Sequence, residues 1–256
     1  MGRLTAVALP ALPEIEAGAD LAALIARAWQ GAAAAEPALA PADGDILVVT
    51  QKVVSKAEGR TVDLRTIEPR PSAVEFAAQW DRDARQVEVV LRESAEVLRM
   101  ERGLVISRTR HGFVCANAGV DASNTGKPDI VTLLPDDPDA SARGLRARLG
   151  DMLGVDVAVL ISDSFGRPWR FGIVDVALGV AGLMPIDDQR GRPDADGRTM
   201  RSTIVAVADE ICSAAELAAG KVSRQPVVLV RGVDVVRGEG AVVADVVMPP
   251  DMDLFR

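Results

Sequence analysis

Residues 156–172 read DVAVLISDSFGRPWRFG, an apolar run that breaks off in Ser162, Asp163 and Ser164 and passes into an arginine-rich aromatic turn. The opening run, DVAVLIS (156–162), has the length and the Val/Ile/Leu content of a strand buried on both faces. An acid at the carboxyl end of such a strand faces the crevice of an open sheet, the usual place for a metal ligand or catalytic carboxylate. Arg167 and Arg170 then flank Pro168 and Trp169, and their guanidinium groups can fork onto phosphate or carboxylate oxygens. An arginine-aromatic surface turn would read the same way.

Working outward, similar buried runs occur in LTAVAL (4–9), DILVVT (45–50), GLVIS (103–107) and PVVLVRG (226–232). Helical spacing occupies the intervals: ADLAALIARAWQGA (19–32), VEFAAQWDRDARQVEVVLRESAEVL (74–98), SARGLRARLGDML (141–153) and STIVAVADEICSAAELAAG (202–220), the last closed by Gly220. Strands and helices intermix throughout, which gives an α/β or α+β class. AAAAEPALAPADG (32–44) reads as a surface connection, LPDDPDAS (134–141) as a break able to separate a pair of lobes, and DDQRGRPDADGR (187–198) as a long polar loop.

With 256 residues and 48% apolar content the chain can bury a substantial core. A net charge of -8 argues against nucleic acid or an anionic membrane as partner, so an anionic substrate would need local lysines, arginines or a metal to offset the field. Cys115 and Cys212 are too few for a disulfide framework and read as two buried thiols of a cytoplasmic protein. The N-terminus develops no apolar segment long enough for a signal peptide or membrane span.

Two further segments carry candidate chemistry. CANAGVDASNTG (115–126) sets small residues around Asp121, with Asn117 and Asn124 nearby; their oxygens suit Mg²⁺ or Mn²⁺, although an Asx-rich turn has the same composition. In TQKVVSKAEGR (50–60) a buried strand runs into Lys52, Ser55 and Lys56, which can grip a nucleotide phosphate or line a solvated edge strand. No Walker A loop and no GxGxxG occurs. A single histidine, His111, and the lack of a GxSxG elbow leave little material for a Ser-His-Asp hydrolase or a catalytic zinc site. Oxygen-ligated metal chemistry with Lys and Arg phosphate clamps remains.

Taken in order, ALPEI (11–15), VVTQKVVSKAEGR (48–60), ANAGVDASN (116–124), SDSFGRPWRFGIVDVALGVAG (162–182), DQRGRPDADGR (188–198), AAGK (218–221) and PVVLVRG (226–232) resemble the coenzyme F420-0:L-glutamate ligase family over nearly the whole chain. The resemblance implies an α+β fold, an intertwined homodimer, and one catalytic unit over residues 1–256 without the nitroreductase-like domain that some bacterial members add. It implies a ligase that uses GTP, Mn²⁺ or Mg²⁺, and K⁺ to add L-glutamate to coenzyme F420-0 and then further γ-linked glutamates. By motif, Asp121 and Asp163 would hold one metal and Ser164 would assist a second; Ala11, Leu12, Pro13, Glu14, Gln51, Lys56 and Asn124 would contact the nucleotide. Arg167 and Arg170 are placed near the anionic substrate by their chemistry alone. Where some relatives carry a metal-binding Gln, this chain has Lys221, which cannot ligate a metal while charged; water would complete that site, or Lys221 would meet phosphate directly. A metal-dependent phosphohydrolase is the alternative the same acids and arginines allow.

Overall fold

A computed structural model of the chain describes residues 2–221 and 223–253. Of the unit expected over 1–256, Met1, Val222 and 254–256 lie outside the described residues. In chain order the elements are β1 (Thr5–Ala8), α1 (Leu21–Ala35), β2 (Ile46–Thr50), α2 (Gln51–Ala57), β3 (Thr61–Asp63), α3 (Pro71–Trp80), α4 (Ala84–Glu93), β4 (Ser94–Glu101), β5 (Leu104–Thr109), β6 (Val114–Ala116), β7 (Ile130–Thr132), α5 (Pro138–Leu153), β8 (Ala158–Arg167), β9 (Arg170–Ala181), β10 (Asp187–Asp188), β11 (Ile204–Val205), α6 (Val207–Ala219), β12 (Val227–Arg231) and α7 (Val242–Asp245). This is a mixed α+β architecture.

The five runs read as buried strands supply four neighbours of one five-stranded sheet, order β1-β12-β2-β8-β9, and one strand of another. Only β2 and β8 run parallel, in register from Ile46↔Ala158 to Thr50↔Ser162. Alternation sends Leu47, Val49, Val159 and Ile161 to one face, against α1 and α5, and Ile46, Val48, Ala158 and Leu160 to the other, against α6. Each such Leu, Ile or Val contributes about 1.5–3 kcal/mol by leaving water. Trp29 on α1 is fully buried and donates its indole N–H to Leu39 O at 2.8 Å. Buried Asp139 joins α5 to the sheet by accepting the N–H groups of Val180 and Val242 at 2.9 and 3.0 Å.

The chain leaves this sheet after α2 and returns at α5. In between, a third core forms from Leu64, Phe76, Val87, Val90, Val105 and Val131, under the β3-β7 ribbon and the β4-β5-β6 sheet. The helix expected over 74–98 is two helices and the start of a strand. Asp81 adopts the left-handed conformation (φ 53) that ends α3, Asp83 accepts from Arg85 N and so caps α4, and β4 begins at Ser94. The break expected at 134–141 is instead an N-terminus: Asp137 caps α5, accepting from Ala140 N, with Pro138 in the first turn. The helix expected over 202–220 starts only at Val207, because residues 204–205 pair with β10. Among the described residues no helix is long and apolar enough to cross a membrane. Cys115 and Cys212 are buried and unlinked.

Candidate functional site

At Thr50 the chain passes from β2 straight into α2, so TQKVVSKAEGR is a short helix rather than an edge strand. That helix sets Lys52 and Lys56 one turn apart on a common face. Lys52 Nζ donates to Asp121 Oδ2 at 2.6 Å and to Ser123 Oγ and O at 2.7 and 3.0 Å. Lys56 Nζ donates to the Glu14 carboxylate and to Asn124 O, the latter at 2.8 Å. Three sequence segments expected to share a ligand, 11–14, 51–56 and 121–124, therefore meet at α2. Ala11, Leu12 and Pro13 lie in the connection from β1 to α1, Ala11 and Pro13 exposed and Leu12 half-buried. Gln51 is fully buried: its Oε1 accepts from Ser55 Oγ at 2.7 Å, and its Nε2 has no partner.

The 117–124 loop is held rigidly. Asn117, Ala118 and Gly119 are successively left-handed (φ 53, 51 and 72), and Asn117 Oδ1 accepts from Val105 N at 3.2 Å. Gly119 is required there on two counts, since a Cβ would also meet Leu134 Cδ2 at 2.6 Å. Asp121 exchanges both backbone hydrogen bonds with Thr132, at 3.0 and 2.8 Å, which fixes the start of its side chain. Burial pushes its carboxyl up, but Lys52 and the Ser123 N–H outweigh this and hold it below the usual carboxylate range.

Asp163 departs from its expected place at a strand end. β8 continues to Arg167, because hairpin pairing with β9 carries the polar residues DSFGR in extended form. Pairing with β2, however, stops at Ser162, so Asp163 is the first β8 residue beyond the parallel pair. The residue is half-buried, and its carboxyl is pushed up to about 7, first by desolvation and then by the negative charges of Asp121 and Asp175. Asp121 and Asp163 are thus electrostatic neighbours although remote in sequence. Cys115 on β6 also adjoins Asp163, and its thiol is pushed up to about 12 by burial and by that acid.

Ser164 pairs across the hairpin with Asp175. Its hydroxyl donates to Asp175 Oδ1 at 2.6 Å and accepts from Lys221 Nζ at 2.5 Å. Lys221 also lies 3.2 Å from Asp175 Oδ1 and 3.4 Å from Glu216 Oε1. Burial works against its charge, but the two acids prevail and raise its pKa above the ordinary lysine value. Asp175 and Glu216 were not singled out from sequence, and Lys52 was read as a phosphate grip rather than as the partner of Asp121. Asp175 stands in IVDVALG, where one acid among apolar residues is the available signal; Glu216 is masked by the regular pattern of α6.

Arg167 and Arg170 are not brought to these acids. They are the closing pair of the hairpin, four residues beyond Asp163, a run of about 13 Å in extended chain. Between them Trp169 is left-handed (φ 57) and exposed; Arg167 is half-buried with one guanidinium nitrogen unpartnered, and Arg170 is exposed.

The donors of the site are hard oxygens, carboxylate and hydroxyl, which suit Mg²⁺ or Mn²⁺. Desolvation first, and then the charges of Asp121 and Asp175, raise the Asp163 carboxyl, and a divalent ion shared with Asp121 would offset both. Among the described residues no three His, Cys, Asp or Glu side chains form a ready-made cage, so further ligands would come from substrate or water. In a chain of net charge -8, Lys52, Lys56 and Lys221 are each paired with acids, Asp121, Glu14, and Asp175 with Glu216, so an anionic substrate would need a further cation here.

A family model described as F420-0:Gamma-glutamyl ligase matches residues 11–232. The chain is similar to proteins named coenzyme F420:L-glutamate ligase. That of Methanothermobacter thermautotrophicus is 42% identical over 256 residues, 99% of each chain; that of Methanopyrus kandleri is 43% identical over the full length of both. That of Methanocaldococcus jannaschii is 40% identical over 84% of this chain and 85% of its own.

Proposed function

The chain belongs to the F420-0:Gamma-glutamyl ligase family, and on that premise we propose that it uses GTP to join the amino group of L-glutamate to a carboxylate of coenzyme F420-0, then extends the product by γ-linked glutamates. The observation that carries this reading is the convergence of Asp121, Asp163 and Asp175 with Lys52, Lys56 and Lys221 from segments spread over the chain.

A carboxylate and an amine do not condense in neutral water, so the carboxylate has to be activated. In the proposed reaction a carboxylate oxygen of F420-0 attacks the γ-phosphorus of GTP, the bond to the β–γ bridging oxygen breaks, and GDP leaves. The neutral amine of glutamate then attacks the acyl carbon, the bond to phosphate breaks, and the amine gives up a proton. Mn²⁺ or Mg²⁺, held by Asp121 and Asp163, would supply neutralisation of the phosphate oxygens when bound. Lys56, beside Asn124 and Glu14, would bind the triphosphate, with Gln51, whose amide N–H lacks a partner, as a further donor. The 117–124 loop orients Asp121 through its fixed backbone, and Lys52 holds that carboxylate in one rotamer. Arg167 and Arg170, at the hairpin tip, would meet the anionic F420-0 at its far end. K⁺ would assist, and the working unit would be a homodimer in the cytoplasm.

The test is mass spectrometry of F420-0 after incubation with protein, GTP and Mn²⁺, with and without L-glutamate. A mass gain of one or more glutamyl residues that requires glutamate is expected. Phosphate release indifferent to glutamate, with F420-0 unchanged, would mark a phosphohydrolase and overturn the proposal.

A further inference from the structure

The ammonium of Lys221 stands at the junction of three elements, within reach of Ser164 Oγ on β8, Asp175 Oδ1 on β9 and Glu216 Oε1 on α6, at 2.5, 3.2 and 3.4 Å. A lysine has three N–H donors and no acceptor, so these oxygens saturate it. They also bond to each other, because the Ser164 hydroxyl donates to Asp175 Oδ1. The Asp175 side chain is only 13% exposed, and its charge is therefore poorly served by water. The same donors, two carboxylates and a hydroxyl, are a ligand set for a hard divalent ion. An ammonium that engages all three of these oxygens leaves a divalent ion no place among them, whereas Lys52 engages a single oxygen, Oδ2, of the Asp121–Asp163 pair. Consecutive strand residues Asp163 and Ser164 point to opposite faces, and the link between the seat and the Asp121–Asp163 pair is the charge of Asp175, which acts on Asp163.

We infer that Lys221 is a built-in cation that fills the seat formed by Ser164, Asp175 and Glu216, so that this chain takes a single exchangeable divalent ion at Asp121–Asp163 and excludes a second. The fixed ammonium does the neutralising work of a second metal without having to be bound from solution. It remains in place at low metal concentration, and its single charge leaves the seat one unit more negative than a divalent ion would. The inference rests on the metal-dependent reading only for the first ion; the seat and its occupant are defined by their own contacts.

The probe is Mn²⁺ alone, counted per chain by equilibrium dialysis and by electron paramagnetic resonance on the full-length protein. Wild type and Lys221→Arg should bind one ion. Lys221→Gln, neutral and bearing an oxygen donor, should bind one more than wild type, as should Lys221→Met more weakly; two close Mn²⁺ ions would also broaden each other's resonance. Adding Asp175→Asn to Lys221→Gln should abolish the gain. Equal ion counts in wild type and Lys221→Gln would overturn the inference, as would two ions in wild type. A wild type that binds no Mn²⁺ would instead sink the metal site at Asp121–Asp163, and a gain of one ion in Lys221→Gln would still support the seat. Melting curves of Lys221→Arg, Lys221→Gln and Lys221→Met show that each variant is folded before its ions are counted.

Discussion

Lys52 Nζ donates to Asp121 Oδ2 at 2.6 Å across 69 residues of sequence, and this contact ties α2 to the loop that approaches Asp163. The Asp121 side chain is 38% exposed, so solvent screens the pair and the contact adds little to global stability. Its value is positional. Lys52→Met should lower unfolding free energy by no more than about 1 kcal/mol yet reduce glutamate addition about 10-fold or more, since 121–124 loses its anchor. Chemical denaturation and product formation, measured on the same preparation, check the two halves.

Asp163→Asn removes a carboxylate proposed to hold the divalent ion, with almost no change in side-chain size. Turnover should fall by at least about 100-fold while the far-ultraviolet circular dichroism spectrum is retained. Near-wild-type turnover would dissociate Asp163 from the chemistry.

Glu88 is buried, 3% exposed, and accepts from Arg70 Nε at 2.8 Å and Arg92 Nε at 2.7 Å. The Arg70 hydrogen bond above all holds its carboxyl down to about 2, below the ordinary 4.5. A depressed carboxylate stabilises the fold fully above its unfolded pKa and loses that contribution as pH falls through the folded one. Stability should therefore decline from about pH 4.5 towards pH 2, by about 1–3 kcal/mol after discounting the half-exposed arginines. In Glu88→Gln this component of the pH dependence should vanish, as read from denaturation midpoints across that range.

Gly179 on β9 has Pro138 O where a side chain would begin: a Cβ would stand 2.2 Å from it. The close approach lets Asp139 reach the Val180 N–H. Gly179→Ala should cost about 1–3 kcal/mol by forcing α5 away from the sheet, visible as a lower denaturation midpoint with an unchanged slope.

Strands of the central sheet were legible because DILVVT, DVAVLIS and PVVLVRG are buried on both faces, and burial writes itself as an unbroken apolar run, while LTAVAL, at the sheet edge, is half-buried but equally apolar. α1 and α5 announced themselves by helical spacing. The two helices within 74–98 did not, because Asp81-Arg82-Asp83 breaks the backbone without disturbing the apolar period. Polar residues 163–167 stay extended only because β9 pairs with them, a long-range condition that no local pattern expresses. Within the site, Asp121, Asp163 and Ser164 stood out as polar residues among small or apolar neighbours. Lys52, read from sequence as a phosphate grip, became the partner of Asp121 only when α2 turned a strand-like segment through 100° per residue and aimed it at the 121–124 loop. Asp175 and Glu216 acquire meaning only from what lies across from them, the hydroxyl of Ser164 and the ammonium of Lys221.

The place of β12 in the sheet, hydrogen-bonded to β1 on one side and to β2 on the other, sets a timetable for biosynthesis. The nascent chain releases β1 and β2 early, but they have no strand between them until residues 227–231 leave the ribosome. The excursion between α2 and α5 owns a separate core and can condense long before that. Translation thus delivers the separate core first and leaves the first two strands waiting for residues 227–231 to arrive.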